Sequence, residues 1–251
     1  MISDYNDYLM QRPNHRREGG LSDSSIRNHL FSLRLFFDYL MDTEQIIFSP
    51  LHLPKFQIST YKQRNILSIE EIKQLYAVCE TRQDKALLSI AYGCGLRRSE
   101  IRNLDTSDVL LHKGILIVRN GKFGKSRTIP LSAKVIVHLK EYLIYERMKY
   151  VQELSGSVIS NAFFITPQGN RISGQRLNER LKELILKTND PKIIRKDITL
   201  HCLRHSIATH LIDNGASIEC VQALLGHAEI DTAHLYSKRR KQQLKIRTQL
   251  N

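Results

Sequence analysis

The chain has 251 residues, 41% of them apolar and 25% charged, which excludes a disordered polypeptide and allows one large domain or two of modest size. Thirty-eight Lys and Arg against twenty-five Asp and Glu give a formal net charge of +13 and a pI near 9.7, so the fitting partner is a polyanion, nucleic acid first. No run approaches the roughly eighteen consecutive apolar residues of a membrane span, and Met1 to Asp7 has neither the basic nor the apolar part of an export signal. A cytoplasmic, nucleoid-associated protein without a membrane partner is expected.

Charge divides the chain unevenly. Residues 1–64 hold eight Lys/Arg and seven Asp/Glu, so +12 of the net charge belongs to residues 65–251. In chain order, a first helix is expected over Asp4–Arg12. A second begins at Ser22 or Asp23, where Ile26, Leu30, Leu33, Phe36, Phe37 and Leu40 recur at three- and four-residue steps and predict one buried face. Pro50, Pro54 and the polar, basic stretch Ser59–Asn65 have linker composition. The predicted organisation is a helical domain over 1–58, a linker over 59–66 and a second domain over 67–251.

That second domain opens on Ser68-Ile69-Glu70-Glu71, a capping box followed by Ile72, Leu75, Tyr76 and Cys79. Helices are expected over 84–94 and 96–104. The period then changes: 114–119 and 126–130 read as short strands flanking the basic, Gly-bearing loop Asn120–Lys125, a β-hairpin. Further helices are expected at about 132–153, 173–189, 199–213 and 217–225, with Gly215 and Gly226 at C-cap positions. Cys79, Cys94, Cys202 and Cys220 are far apart and form no C-x-x-C pair, so they read as reduced, buried thiols, and no metal site is implied.

Several residues have the chemistry to act on a phosphate. At a spacing of three, His201 and Arg204 share one face of a helix and reach one anion together. Arg97 and Arg98 follow the glycine-punctuated Gly93-Cys94-Gly95-Leu96, whose glycines let the backbone approach a cleft. Lys122 and Lys125 lie on the hairpin tip. Taken singly, the His201–Arg204 pair and the two lysines are plain phosphate contacts, Arg97 and Arg98 a solvated helix end, and Tyr236 an ordinary amphipathic tyrosine.

Together, and in this order, they resemble one family. Gly95-Leu96-Arg97-Arg98-Ser99-Glu100, Gly121-Lys122-Phe123-Gly124-Lys125-Ser126-Arg127 through Pro130-Leu131, His201-Cys202-Leu203-Arg204-His205-Ser206, and Leu224-Leu225-Gly226-His227 with Tyr236 nine residues on are similar to the motifs of the tyrosine recombinases, the phage-integrase family. The likeness covers about residues 20–240.

The resemblance implies a mainly α (α+β) fold, with a helical, SAM-like core-binding remnant and a mostly helical catalytic domain bearing a small antiparallel β-sheet. It implies site-specific recombination through a 3′-phosphotyrosyl intermediate and a Holliday junction, with no metal or other cofactor. Arg97 and Arg204 would clamp the phosphate, Tyr236 attack it, His201 act as general base, Lys122 as general acid and His227 as a hydrogen-bond donor. Glu100 would orient Arg97. Lys125, three residues beyond Lys122, competes for the acid role, although Gly121-Lys122 matches the family's word better. Lys125, Arg127, Arg98, Lys62 and Arg64 are expected DNA contacts, and His205 and His210 packing or supporting residues.

The partners implied are double-stranded DNA with inverted-repeat core sites, three further copies of the chain on synapsed DNA, and accessory proteins that the sequence does not identify. A monomer is expected free in solution. Family members usually carry four or more helices before the linker; only about sixty residues precede it here, which reads as a truncated clamp with a smaller, more salt-sensitive DNA footprint. The tail Arg239–Arg247 fits either a cap on its own domain or a contact with a neighbouring protomer. Two competing functions share these features: relaxation of the type IB topoisomerase kind, and a non-catalytic relative that only occupies recombination sites.

Overall fold

A computed structural model describes residues 2–14, 18–50, 65–119, 126–154 and 159–226. The chain forms two compact units, Met1–Lys62 and Gln63–Asn251, with the division inside the 59–66 stretch.

In the first unit, α1 (Ile2–Gln11) packs on α2 (Asp23–Asp42) through Leu9, Ile26 and Leu30, with Tyr5 and Leu21 at the margin. Ser22 caps α2, its hydroxyl accepting from the Ser25 amide at 3.2 Å. The expected buried face is narrower than the periodicity suggests. Phe36 is 53% exposed, and Phe31, Leu35 and Tyr39 are also exposed, because among the described residues of this unit α1 alone packs on α2 and covers one side of it.

The second unit starts with the predicted capping box. Ser68 Oγ accepts from the Glu71 amide and Glu71 Oε2 from the Ser68 amide, opening α3 (Ile69–Ala77). A second box, Thr81 with Asp84, opens α4 (Arg82–Leu88). The single helix expected over 84–94 is in fact α-helical to Leu88 and π-helical over Ser89–Gly93. That wider turn packs against the helix bearing Arg204. Asp84 is almost fully buried, and burial alone would raise its pKa. The Arg180 guanidinium, donating to both carboxylate oxygens at 2.7 and 2.8 Å, instead holds it below the ordinary carboxylate value.

After α5 (Arg98–Asn103) comes an antiparallel sheet, β1 (Val109–Leu110), β2 (Ile115–Val118) and β3 (Arg127–Pro130), in sequence order. Ile115 pairs with Pro130 and Val118 with Arg127, the predicted hairpin. β1 was not expected, since two residues are too few for an alternating pattern. Leu116, Val118 and Ile129 face the core.

The helix expected at 132–153 runs as α6 (Ala133–Glu141), a π-helical stretch Tyr142–Arg147 and α7 (Met148–Glu153). α8 (Gly174–Lys187), the unpredicted one-turn α9 (Pro191–Ile194), α10 (Leu200–Asp213) and α11 (Ile218–Leu225) follow. The unit is thus mainly helical with a small antiparallel sheet, as expected for the fold class. Its core joins α3, α4, α6, α8 and the sheet through Leu75, Leu87, Leu116, Leu139, Phe163 and Leu181, among others.

All four cysteines are free, but only Cys94 is buried; Cys79 and Cys202 are half-buried and Cys220 is exposed. Spacing excluded pairing without locating them. None of the helices among the described residues is long and apolar enough to cross a membrane.

Candidate active site

α10 is buried along most of its length, so a cation on it must find partners inside the protein. Arg204 is 0% exposed, and its Nη1 donates to the Gly95 carbonyl and its Nη2 to the Leu225 carbonyl, each at 2.6 Å. Nη1 lies 3.8 Å from Glu100 Oε2.

Glu100 also receives Arg97. Arg97 is the N-cap of α5, its amide donating to Glu100 Oε2 at 2.8 Å and its Nη1 to Oε1 at 2.9 Å. The two arginines are neighbours, since Arg97 Nη1 also approaches the Leu225 carbonyl at 3.5 Å. Arg97 Nη2 is buried and has no hydrogen-bond partner among the described residues.

Arg127 completes the cluster by forking onto the same carboxylate, Nη1 to Oε1 at 2.8 Å and Nη2 to Oε2 at 2.9 Å. Three guanidinium groups around one carboxylate leave a formal +2 on these four side chains. Burial would raise the Glu100 pKa, but the hydrogen bonds and charge of Arg127, with help from Arg97 and Arg204, lower it to about 2. Glu100 is therefore ionised throughout the physiological range.

Gly95 is where the backbone makes this possible. Its φ of +63° is the left-handed conformation that glycine adopts without strain, and a Cβ there would fall 2.7 Å from Leu225 Cδ2. Gly95→Ala is expected to lose at least about 2 kcal/mol, combining backbone strain with overpacking beside Arg204. Thermal unfolding checks this, and an unchanged melting temperature would contradict it.

His201, in the first turn of α10, is exposed, and its ring meets the buried His205 edge to face with centroids 4.3 Å apart. His210 shares a 2.8 Å hydrogen bond with Tyr92 Oη. Arg98 is exposed beside the start of α8. Of the predicted residues, the structure brings Arg97, Glu100, Arg204 and Arg127 together and places His201 one helical turn from Arg204. Arg127 is turned inward, only 10% of its side chain exposed, whereas a DNA contact was expected. Lys122, Lys125, His227, Tyr236, Lys62 and Arg64 lie outside the described residues. Sequence reasoning missed the Gly95, Leu224 and Leu225 carbonyls, because a backbone acceptor has no signature in residue type.

An inward-turned cluster of arginines with spare positive charge, on a mainly helical domain with a small sheet, has the chemistry to receive an anion such as a phosphate. Residues 65–243 match the phage integrase family. The chain belongs to that family, the tyrosine-type site-specific recombinases.

It is 36% identical over 239 residues to tyrosine recombinase XerD of Listeria monocytogenes serovar 1/2a (strain ATCC BAA-679 / EGD-e), covering 91% of this chain and 76% of the relative. To tyrosine recombinase XerA of Pyrococcus horikoshii (strain ATCC 700860 / DSM 12428 / JCM 9974 / NBRC 100139 / OT-3) it is 32% identical over 223 residues, covering 88% and 72%. Among solved structures, XerA recombinase aligns with a TM-score of 0.61 at 25% identity, over 98% of this chain and 82% of that one. XerH bound to a palindromic difH substrate, in a post-cleavage complex, aligns with a TM-score of 0.67 at 26% identity, over 87% and 62%.

Proposed function

We propose that this chain cleaves and rejoins duplex DNA through a 3′-phosphotyrosyl intermediate and, with four copies on two duplexes, a Holliday junction. The observation that carries this reading is the arginine pair, Arg204 buried and Arg97 half-buried: the two share the Leu225 carbonyl and the Glu100 carboxylate, and Arg97 keeps a buried donor without a partner among the described residues.

Guanidinium groups fixed before substrate arrives stabilise the charge that builds on a pentacoordinate phosphorane, because they need not reorganise in the transition state. Tyr236 attacks phosphorus, and its phenolic proton passes to His201. The P–O5′ bond breaks, Lys122 protonates the departing 5′ oxygen and His227 donates to a non-bridging oxygen. The phosphotyrosyl ester conserves the energy of the broken bond, so rejoining requires attack by a 5′ hydroxyl and no nucleotide cofactor.

DNA as the partner is supported by the XerH neighbour, a site-specific recombinase held in a post-cleavage complex with a palindromic difH substrate, and by the +12 carried by residues 65–251. Residues 1–58 act as a helical DNA-clamp domain and 59–66 as the linker to the catalytic domain at 67–251. Lys125, Arg98, Lys62 and Arg64 contact phosphates on this reading.

The test is a nicked suicide duplex carrying the repeats that flank the gene, incubated with the protein in EDTA and run on a denaturing gel. A covalent protein–DNA adduct is expected with the natural chain and none with Tyr236→Phe. A shifted duplex without any adduct would replace this reading with a binding-only role.

A further inference from the structure

Arg127 opens β3, directly after the loop that carries Lys122 in the sequence. Besides its fork onto Glu100, its Nε donates to the Leu224 carbonyl at 2.9 Å. Gly226, with φ +82°, lies against it: a Cβ there would come within 3.3 Å of Nη1 and 3.4 Å of Cδ. One side chain therefore touches the Arg97 motif through Glu100, the hairpin through its own strand, and the end of α11 from which His227 follows.

We infer that Arg127 is a positioning residue: it fastens β3 and the end of α11 to Glu100, and so anchors beside the arginine pair the two points of the chain that lead in sequence to Lys122 and His227. The inference rests on the reading of Lys122 and His227 as reacting groups. Its physical basis is the fork. A planar guanidinium that meets both carboxylate oxygens fixes direction as well as distance, which the single point charge of a lysine does not. All three guanidinium nitrogens of Arg127 are held by protein acceptors, two of them by one carboxylate, which suits an anchoring role better than a DNA contact.

The experiment uses the full chain with Arg127→Gln and Arg127→Lys, each checked for a native circular dichroism spectrum. Duplex binding across a salt series and single-turnover adduct formation at saturating protein are measured on two substrates: the ordinary suicide duplex and one with sulfur in place of the bridging 5′ oxygen. A thiolate leaves without a proton, so the sulfur substrate bypasses the general acid.

Expected are binding and salt slope unchanged within about twofold, cleavage of the ordinary substrate slowed about 10²-fold, as for a small misplacement of a reacting group, and at least tenfold of that recovered on the sulfur substrate. Arg127→Lys decides the matter if the Gln variant does not fold. A salt slope reduced by about one unit with normal cleavage at saturation would make Arg127 a phosphate contact and overturn the inference. Equal slowing on both substrates would overturn the link to Lys122. Failure of the unsubstituted chain to form any adduct would instead sink the proposed function itself.

Discussion

Glu100→Gln is expected to destabilise the catalytic domain by about 3–5 kcal/mol, the usual cost of removing one member of a buried ion pair. The substitution preserves volume, so the loss is electrostatic. Arg97, Arg127 and Arg204 all lie on this carboxylate, and Arg204 is fully buried. An amide offers one acceptor where two charged ones stood and turns an N–H donor toward guanidinium groups.

The pH dependence follows from the folded pKa of about 2. A carboxylate held below its ordinary value contributes stability that is fully present above about pH 4.5 and is lost as pH falls through the folded value. Urea unfolding of the natural chain and the variant from pH 7 downward should therefore show a constant gap that narrows below about pH 4.5. A gap that widens in acid, or one below about 1 kcal/mol at pH 7, would mean that the cluster does not depend on Glu100.

Arg204→Lys is expected to slow adduct formation by about 10²–10³-fold, comparable to removing one preorganised donor from an anion-stabilising site. Two of the Arg204 nitrogens are committed to the Gly95 and Leu225 carbonyls, which aim the group. A lysine ammonium reaches one such acceptor and cannot satisfy both while facing a phosphate. Noncovalent DNA binding should change far less, because one phosphate contact among many carries a small share of affinity. Single-turnover rates set beside equilibrium binding check this; an equal loss in both would assign Arg204 to ground-state binding.

Much of the architecture is legible in the sequence, because local rules govern it. The Ser68–Glu71 box, the Ser22 cap and the switch from helical to alternating periodicity at 114–130 each depend on residues within a few positions of one another. What local rules do not contain is how far a buried face extends: Phe36 continues the stripe of α2, yet it is exposed, because α1 covers only one side of that helix. The π-helical turns at Ser89–Gly93 and Tyr142–Arg147 escape for a similar reason, being set by packing between helices distant in sequence.

The candidate site divides in the same way. The identities Arg97, Lys122, His201, Arg204, His227 and Tyr236, their order and the family they indicate are properties of the string. The side chains, however, are interchangeable in sequence terms: Arg97, Arg98, Arg127 and Arg204 carry the same group. Only the tertiary structure separates them, burying Arg204 against two carbonyls, turning Arg127 onto Glu100 and leaving Arg98 exposed. The physical reason is that a guanidinium's role is set by its desolvation and its acceptors. Those acceptors are backbone oxygens and a carboxylate brought from positions 95, 100, 224 and 225 by the packing of α5, β3, α10 and α11.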